Sequence, residues 1–202
     1  MTRIVSVDAR APARGAVDEA AAALKRGGLV AFPTESFYGL GADALDARAV
    51  ARVFALKGRP ESKPVLVLVD SVAMAQALAP DIPAGARELM ARHWPGPLTL
   101  VLTAAPHVPA TLTAGTGTIG LRMPGHAVAL ALVRAAGLPV TAPSANPSGR
   151  RAPTTAAAVR RYFGARLDLI LDGGATLGGP ASTVADCTTW PPRILRQGPV
   201  FL

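Results

Sequence analysis

Val17-Asp-Glu-Ala20-Ala21-Ala-Ala-Leu24-Lys-Arg-Gly27-Gly28-Leu29-Val-Ala-Phe32 is the stretch whose reading decides the fold. Val17, Ala20, Ala21 and Leu24 recur at helical spacing, Gly27-Gly28 stops that helix, and the apolar run Leu29 to Phe32 reads as a strand. The unit is helix, turn, strand. Working outward, the alternation continues. Asp46 is placed to cap a second helix whose apolar face is Val50, Val53 and Phe54 and which Gly58 and Pro60 end, and a buried strand over Val65 to Val69 follows. Helices are expected over Val72 to Leu78 and Ala84 to His93, with Trp94-Pro95-Gly96-Pro97 breaking the chain before a strand at Leu98 to Leu102.

Then come a strand at Thr118 to Met123, a helix at Ala127 to Ala136 and a strand at Leu138 to Thr141. A helix at Thr155 to Phe163 and a strand at Leu167 to Leu171 complete the regular part. After Asp172 the pattern changes to short strands, Ser182 to Asp186 and Arg193 to Arg196, between Gly and Pro turns. The expected class is therefore α/β with a mixed sheet. No repeat or low-complexity linker interrupts residues 1–202, so a single domain is expected. Pro, Gly and Ser crowd only into the loop Pro143 to Pro153, a candidate functional loop by its length and polarity.

Composition narrows the function classes. The 202 residues are 50% apolar and 17% charged, enough for a sizeable core and too hydrophobic for disorder. Apolar stretches such as Val65 to Val69 and Leu98 to Ala105, the latter crossed by Thr99 and Thr103, fall far short of the roughly 18 residues that span a bilayer. Arg3, Asp8 and Arg10 leave no secretory apolar region near the start. Cys187 is the single cysteine, which rules out an internal disulfide framework or a Cys-based zinc site and fits a reducing, cytoplasmic setting. The formal charge of +8 asks for an anionic partner without choosing one. Of 21 basic residues 18 are Arg, so the three Lys are the more informative, and Lys57 and Lys63 bracket one short segment.

Several familiar motifs fail. Gly115-Thr-Gly117-Thr-Ile-Gly120 has dinucleotide-binding spacing, but Pro124 denies the helix that the fingerprint must open. Gly39 to Ala44 is displaced from its strand. No lysine stands in a Walker A context. His93, His107 and His126 are scattered without zinc-ligand spacing, and no Gly-x-Ser-x-Gly elbow is present.

Three segments survive. Lys57-Gly58-Arg59-Pro60-Glu61-Ser62-Lys63-Pro64 puts three cations in one turn. A helix C-terminus accounts for Lys57, but polyphosphate binding accounts for all three. Thr141 to Gly149 leaves a strand end rich in hydroxyls and amides and runs on to Thr154 or Thr155, either of which can cap the next helix. Pro33-Thr34-Glu35-Ser36-Phe37-Tyr38-Gly39-Leu40-Gly41 also leaves a strand end with hydroxyls and a carboxylate.

Taken together these segments resemble the YrdC family. The likeness runs from about Gly28 to Gly198. Its marks are the Pro-Thr-Glu-x-x-Tyr-Gly-Leu-Gly opening, the paired signatures Lys57-x-Arg59 and Ser144-x-Asn146, Trp94-Pro-Gly-Pro-Leu-Thr-Leu, Gly120-Leu-Arg122-Met-Pro124, and Leu171-Asp-Gly-Gly174 leading to Ser182-Thr-Val. The resemblance implies a YrdC/RibB-like fold, a twisted open sheet with flanking helices around a positively charged hollow. It implies an L-threonylcarbamoyladenylate synthase, which joins L-threonine, bicarbonate and ATP into threonylcarbamoyl-AMP and pyrophosphate. A downstream transferase complex then carries the group to the adenosine flanking the tRNA anticodon. Longer members have a further C-terminal domain, for which a chain ending at Leu202 has no room, so the short bacterial form is expected.

Position by position, the resemblance assigns Ser36, Arg122, Ser144 and Ser182 to threonine, with Thr34 nearby. It assigns Arg59, Lys63, Thr118, Asn146, Thr154 and Arg196 to ATP, and turns Lys57 toward the triphosphate or the bicarbonate-derived carboxylate. Lys57 and Arg59 are the expected catalytic pair, with Mg²⁺ travelling on ATP and no protein metal site. Ser36 replaces a Thr common in the opening motif, and Leu68 stands where many relatives have His. Two rivals are a noncatalytic double-stranded RNA or tRNA binder using Arg150, Arg151, Arg160 and Arg161, and carbamoyl adenylate chemistry as in hydrogenase maturation proteins. Nine aromatics and no stacking platform argue against specific single-strand readout by the first. Weak tRNA binding is compatible with the charge.

Overall fold

The computed structural model describes residues 1–58 and 64–202; the cations expected at Arg59 and Lys63 lie outside the described residues. The elements in chain order are β1 Arg3–Ser6, α1 Arg14–Lys25, β2 Val30–Pro33, β3 Tyr38–Gly41, α2 Ala47–Lys57, β4 Leu66–Leu68, α3 Val72–Leu78 and α4 Ala84–His93. They continue with β5 Leu98–Thr103, α5 Ala110–Thr113, β6 Thr118–Arg122, α6 Ala127–Ala136, β7 Val140–Thr141, α7 Ala156–Phe163, β8 Leu169–Asp172, β9 Thr183–Asp186 and β10 Arg193–Arg196. The mixed α/β class holds. Among the described residues no helix is long and apolar enough to cross a membrane.

Local signals account for the element boundaries. The Asp46 carboxylate accepts from the amides of Arg48 and Ala49 and starts α2, while Gly58 in a left-handed conformation (φ 55°) ends it. Thr155, not Thr154, caps α7 by accepting from the Ala158 amide. Three elements escape the pattern reading: β1, β3 and the one-turn α5. β3 was hidden because Gly39 and Gly41 read as loop. Phe32 and Val140 pack so closely that a Cβ at Gly41 would lie 2.8 and 2.9 Å from their side chains, so glycine is required inside the strand.

The strands divide between two mixed sheets rather than filling one. The first has the order β1-β8-β2-β3 and the second β10-β9-β5-β6-β4-β7. Helices cover both faces of the first sheet. Val30 and Phe32 pack with Leu24 of α1 and Leu132 of α6, whereas Ala31 packs on the other face with Val53 of α2 and Phe163 of α7. Burial on both faces explains the unbroken apolar run at 29–32. The second sheet buries one face only: Val67, Leu100 and Leu121 pack with Leu78 of α3 and Met90 of α4. Its other face carries Thr99, Val101, Thr118, Gly120 and Arg122. Backbone bridges Gly39↔Ser144 and Asp43↔Val140 join the sheets at β7 and the loop that follows it.

Candidate functional site

The uncovered face of the second sheet forms the floor of a cavity of about 530 Å³, within the range of small-molecule sites. Because side chains alternate along a strand, residues 99 and 101 of β5 and 118, 120 and 122 of β6 point into it while their neighbours build the core. β9 adds Val184, with Ser182 just before it. On β10 both Leu195 and Arg196 line the wall, since the β9–β10 pairing shifts register between Ile194 and Arg196 and turns two consecutive residues to one side. The roof is the β2–β3 turn with Thr34 and Ser36, and the rim is Ala142, Pro143 and Ser144.

Seven residues singled out in the sequence meet here: Thr34, Ser36, Thr118, Arg122, Ser144, Ser182 and Arg196. They come from both sheets. The hydroxyl of Thr34 donates to the Phe37 carbonyl (2.6 Å), which closes the turn. Ser36 is tied through its carbonyl, which accepts from Thr176 Oγ1 and the Gly178 amide, both at 2.8 Å. Thr154 lies beside that same segment, its carbonyl accepting from the Thr176 amide, and is not on the cavity wall.

Two guanidinium groups converge on the cavity. Arg122 is 5% exposed; its Nε donates to the Gly96 carbonyl (2.9 Å) and its terminal nitrogen pairs with Glu35. Arg196 donates to the Ser182 carbonyl from Nε (3.0 Å) and Nη2 (2.8 Å), and to Ser182 Oγ (3.1 Å). Ser182 Oγ also shares a hydrogen bond of 2.9 Å with Thr99 Oγ1. Burial, and then the positive charge of Arg122, hold the Arg196 guanidinium below its ordinary value. A cation raised in energy by burial and by a like-charged neighbour across a partly apolar hollow favours an anion beside it.

Lys57 and Asn146 stand behind the rim, not on the wall. Lys57 is 4% exposed, and its ammonium donates to the carbonyls of Ser144 and Asn146 (2.7 Å to the latter). The resemblance turns Lys57 toward the triphosphate or the bicarbonate-derived carboxylate; in the structure the end of α2 lies under the loop and the ammonium binds these loop carbonyls. Asn146 donates from Nδ2 to the Pro147 and Arg150 carbonyls, and its buried Oδ1 has no partner among the described residues. Tyr38, fully buried, donates to the Gly174 carbonyl (2.7 Å); burial and then the Asp172 carboxylate push its phenol well up, so it stays neutral and serves as a brace.

Glu35, Thr99 and Leu195 were not read as site residues from the sequence. Thr99 was legible in principle, since Leu98, Leu100 and Leu102 on one face leave 99 and 101 on the other. Leu195 depends on the register shift, and Glu35 on a partner far away in the chain.

The Sua5/YciO/YrdC family model, described as telomere recombination, matches residues 22–198. The chain belongs to the Sua5/YciO/YrdC family. Its Sua5/YciO/YrdC relatives include the threonylcarbamoyl-AMP synthase of Pyrococcus abyssi, 48% identical over 179 residues that cover 89% of this chain and 53% of that protein. The threonylcarbamoyl-AMP synthase of Halorhodospira halophila is 46% identical over 164 residues, covering 81% of this chain and 84% of that one. Among solved structures, Pyrococcus abyssi Sua5 complexed with L-threonine superposes with a TM-score of 0.94 at 46% identity, covering 98% of this chain and 58% of that one. The chain thus spans about half the length of the Pyrococcus protein and most of the Halorhodospira one.

Proposed function

We propose that this chain is an L-threonylcarbamoyladenylate synthase acting on L-threonine, bicarbonate and ATP. One observation carries the reading: Arg122 and Arg196, with the hydroxyls of Ser182 and Thr99, face one cavity that Ser144 rims. Two fixed cations suit a ligand with two anionic ends, an amino-acid carboxylate and a phosphate. The names of the relatives supply the substrate class.

In the proposed reaction the free amine of threonine adds to bicarbonate, releasing water and leaving a carbamate. A carbamate oxygen then attacks the α-phosphorus as the bond to pyrophosphate breaks. The nucleophile is already an anion, so the protein's share is orientation and neutralisation of charge rather than general base catalysis. Arg122, Ser144, Ser182, Thr34 and Ser36 would hold threonine. Arg196, Thr118, Asn146 and Thr154 would hold ATP, together with Arg59 and Lys63. Lys57, buried under the loop, would act by fixing Ser144 and Asn146. Mg²⁺ would arrive on ATP as part of the substrate. The product would pass to a transferase complex that modifies tRNA in the cytoplasm.

Incubation with ATP, threonine and labelled bicarbonate tests the reading. A labelled adenylate is expected, and it should vanish when threonine is omitted. No adenylate under any condition, or one formed equally well from carbamoyl phosphate without threonine, would overturn it.

A further inference from the structure

Glu35 stands in the middle of the β2–β3 turn, between the two hydroxyl residues that face the cavity, and it points the other way. One of its carboxylate oxygens pairs with the terminal nitrogen of Arg122 and accepts from the Gly125 amide (2.7 Å). Arg122 is held on a second side by the Gly96 carbonyl through Nε (2.9 Å). The guanidinium is thus held directly from two chain segments, the β2–β3 turn of the first sheet and the segment before β5, while the segment after β6 holds the Glu35 carboxylate in turn. The remaining surface of Arg122 lines the cavity.

The packing leaves little slack. A Cβ at Gly125 would lie 3.2 Å from the Glu35 oxygen and 3.5 Å from the Gly96 Cα, so glycine lets the carboxylate approach the amide. With its side chain only 6% exposed, Arg122 would be a buried cation without a counter-charge if Glu35 were neutral. Residues 34 and 36 face the cavity while 35 faces Arg122, so the ion pair sets the turn's hydroxyls relative to the guanidinium. It is a brace between the two sheets.

We infer that Glu35 is a positioning residue: it fixes the Arg122 guanidinium and the Thr34–Ser36 turn in one frame, and by that it sets affinity for the amino-acid substrate and not for the nucleotide. The assignment of an amino acid to this end of the cavity rests on the proposed function. The immobilisation of Arg122 does not, and the two parts are measured separately.

The first measurement is side-chain ¹⁵N relaxation of the Arg122 Nε–H in the whole protein, compared with Glu35→Gln. The amide side chain introduced by that substitution retains an acceptor for Gly125 but carries no charge. Arg122 should be as ordered as the backbone in the wild type and mobile in the variant. An Arg122 that is mobile in the wild type, or equally ordered in both, overturns the inference, and the wild-type spectrum alone can do so if the variant does not fold. The second measurement is steady-state pyrophosphate release. KM for threonine should rise about tenfold in Glu35→Gln while KM for ATP stays within about twofold; an equal rise in both overturns the specific role. Loss of all threonine dependence in the wild type would refute the proposed function and, with it, the substrate half of this inference. The relaxation data would still decide whether Glu35 orders Arg122.

Discussion

Lys57, in the last turn of α2, donates through its buried ammonium to the carbonyl oxygen of Asn146 at 2.7 Å. The same nitrogen binds the Ser144 carbonyl, and the Ser148 amide returns a bond to the Lys57 carbonyl (2.7 Å). The helix end and the loop after β7 are therefore one unit, although they lie far apart in the chain.

Replacing Lys57 by Met keeps the stem and removes these charge-assisted bonds, each worth about 1.5–3 kcal/mol. A lysine that only faced a ligand would leave the fold intact on such a change. The structure predicts otherwise: urea denaturation of Lys57→Met should show a loss of about 2–4 kcal/mol, together with loss of threonine-dependent pyrophosphate release. An unchanged denaturation midpoint would show that the loop holds without the ammonium.

Ser182→Ala deletes the hydroxyl that links Thr99 Oγ1 to Arg196. The Arg196 bonds to the Ser182 carbonyl persist, so the guanidinium should stay in place. The expected cost is about 1–2 kcal/mol in stability, from the unpaired buried Thr99 hydroxyl. Turnover with threonine and ATP should fall by about tenfold, read from kcat/KM, and a catalytically unaffected variant would remove Ser182 from the site.

Gly198 lies against the Ala181–Thr183 backbone, where a Cβ would overlap the Ala181 carbonyl oxygen and the Thr183 amide nitrogen. Gly198→Ala must push this segment, and Ser182 with it. A loss of about 1–3 kcal/mol in thermal denaturation is expected, with reduced ligand binding. Gly15→Ala is the control, since open space surrounds that glycine and neither it nor Gly198 has a left-handed φ, so the two substitutions differ in the backbone overlap.

His126 caps α6, its Nδ1 accepting from the Val128 amide (3.2 Å). The cap requires a neutral ring. Burial lowers its pKa below the ordinary value of 6.5, opposed in part by the negative charge of Glu35. A depressed folded-state pKa means the unfolded chain takes up the proton first. The cap's contribution is thus fully present above about 6.5 and is lost as pH falls through the folded value. The thermal midpoint should drop as the pH is lowered from neutral into the mildly acidic range, and His126→Asn, which keeps an acceptor but does not titrate, should flatten that slope relative to wild type.

Much of this molecule was legible before any coordinates. Helices over Val72–Leu78, Ala84–His93 and Ala127–Ala136 and the strand Arg193–Arg196 have the bounds that periodicity indicates. Seven of the residues singled out in the sequence do line one cavity. These features are local: apolar spacing, caps and turn residues record how each segment is buried, and burial is set within a few residues. The division into two sheets, the consecutive inward turn of Leu195 and Arg196, the seat of Lys57 beneath the loop and the Glu35–Arg122 brace are not local. Each depends on register or hydrogen bonding between segments far apart in the chain, which spacing along one segment does not encode, and so only the folded structure decided them.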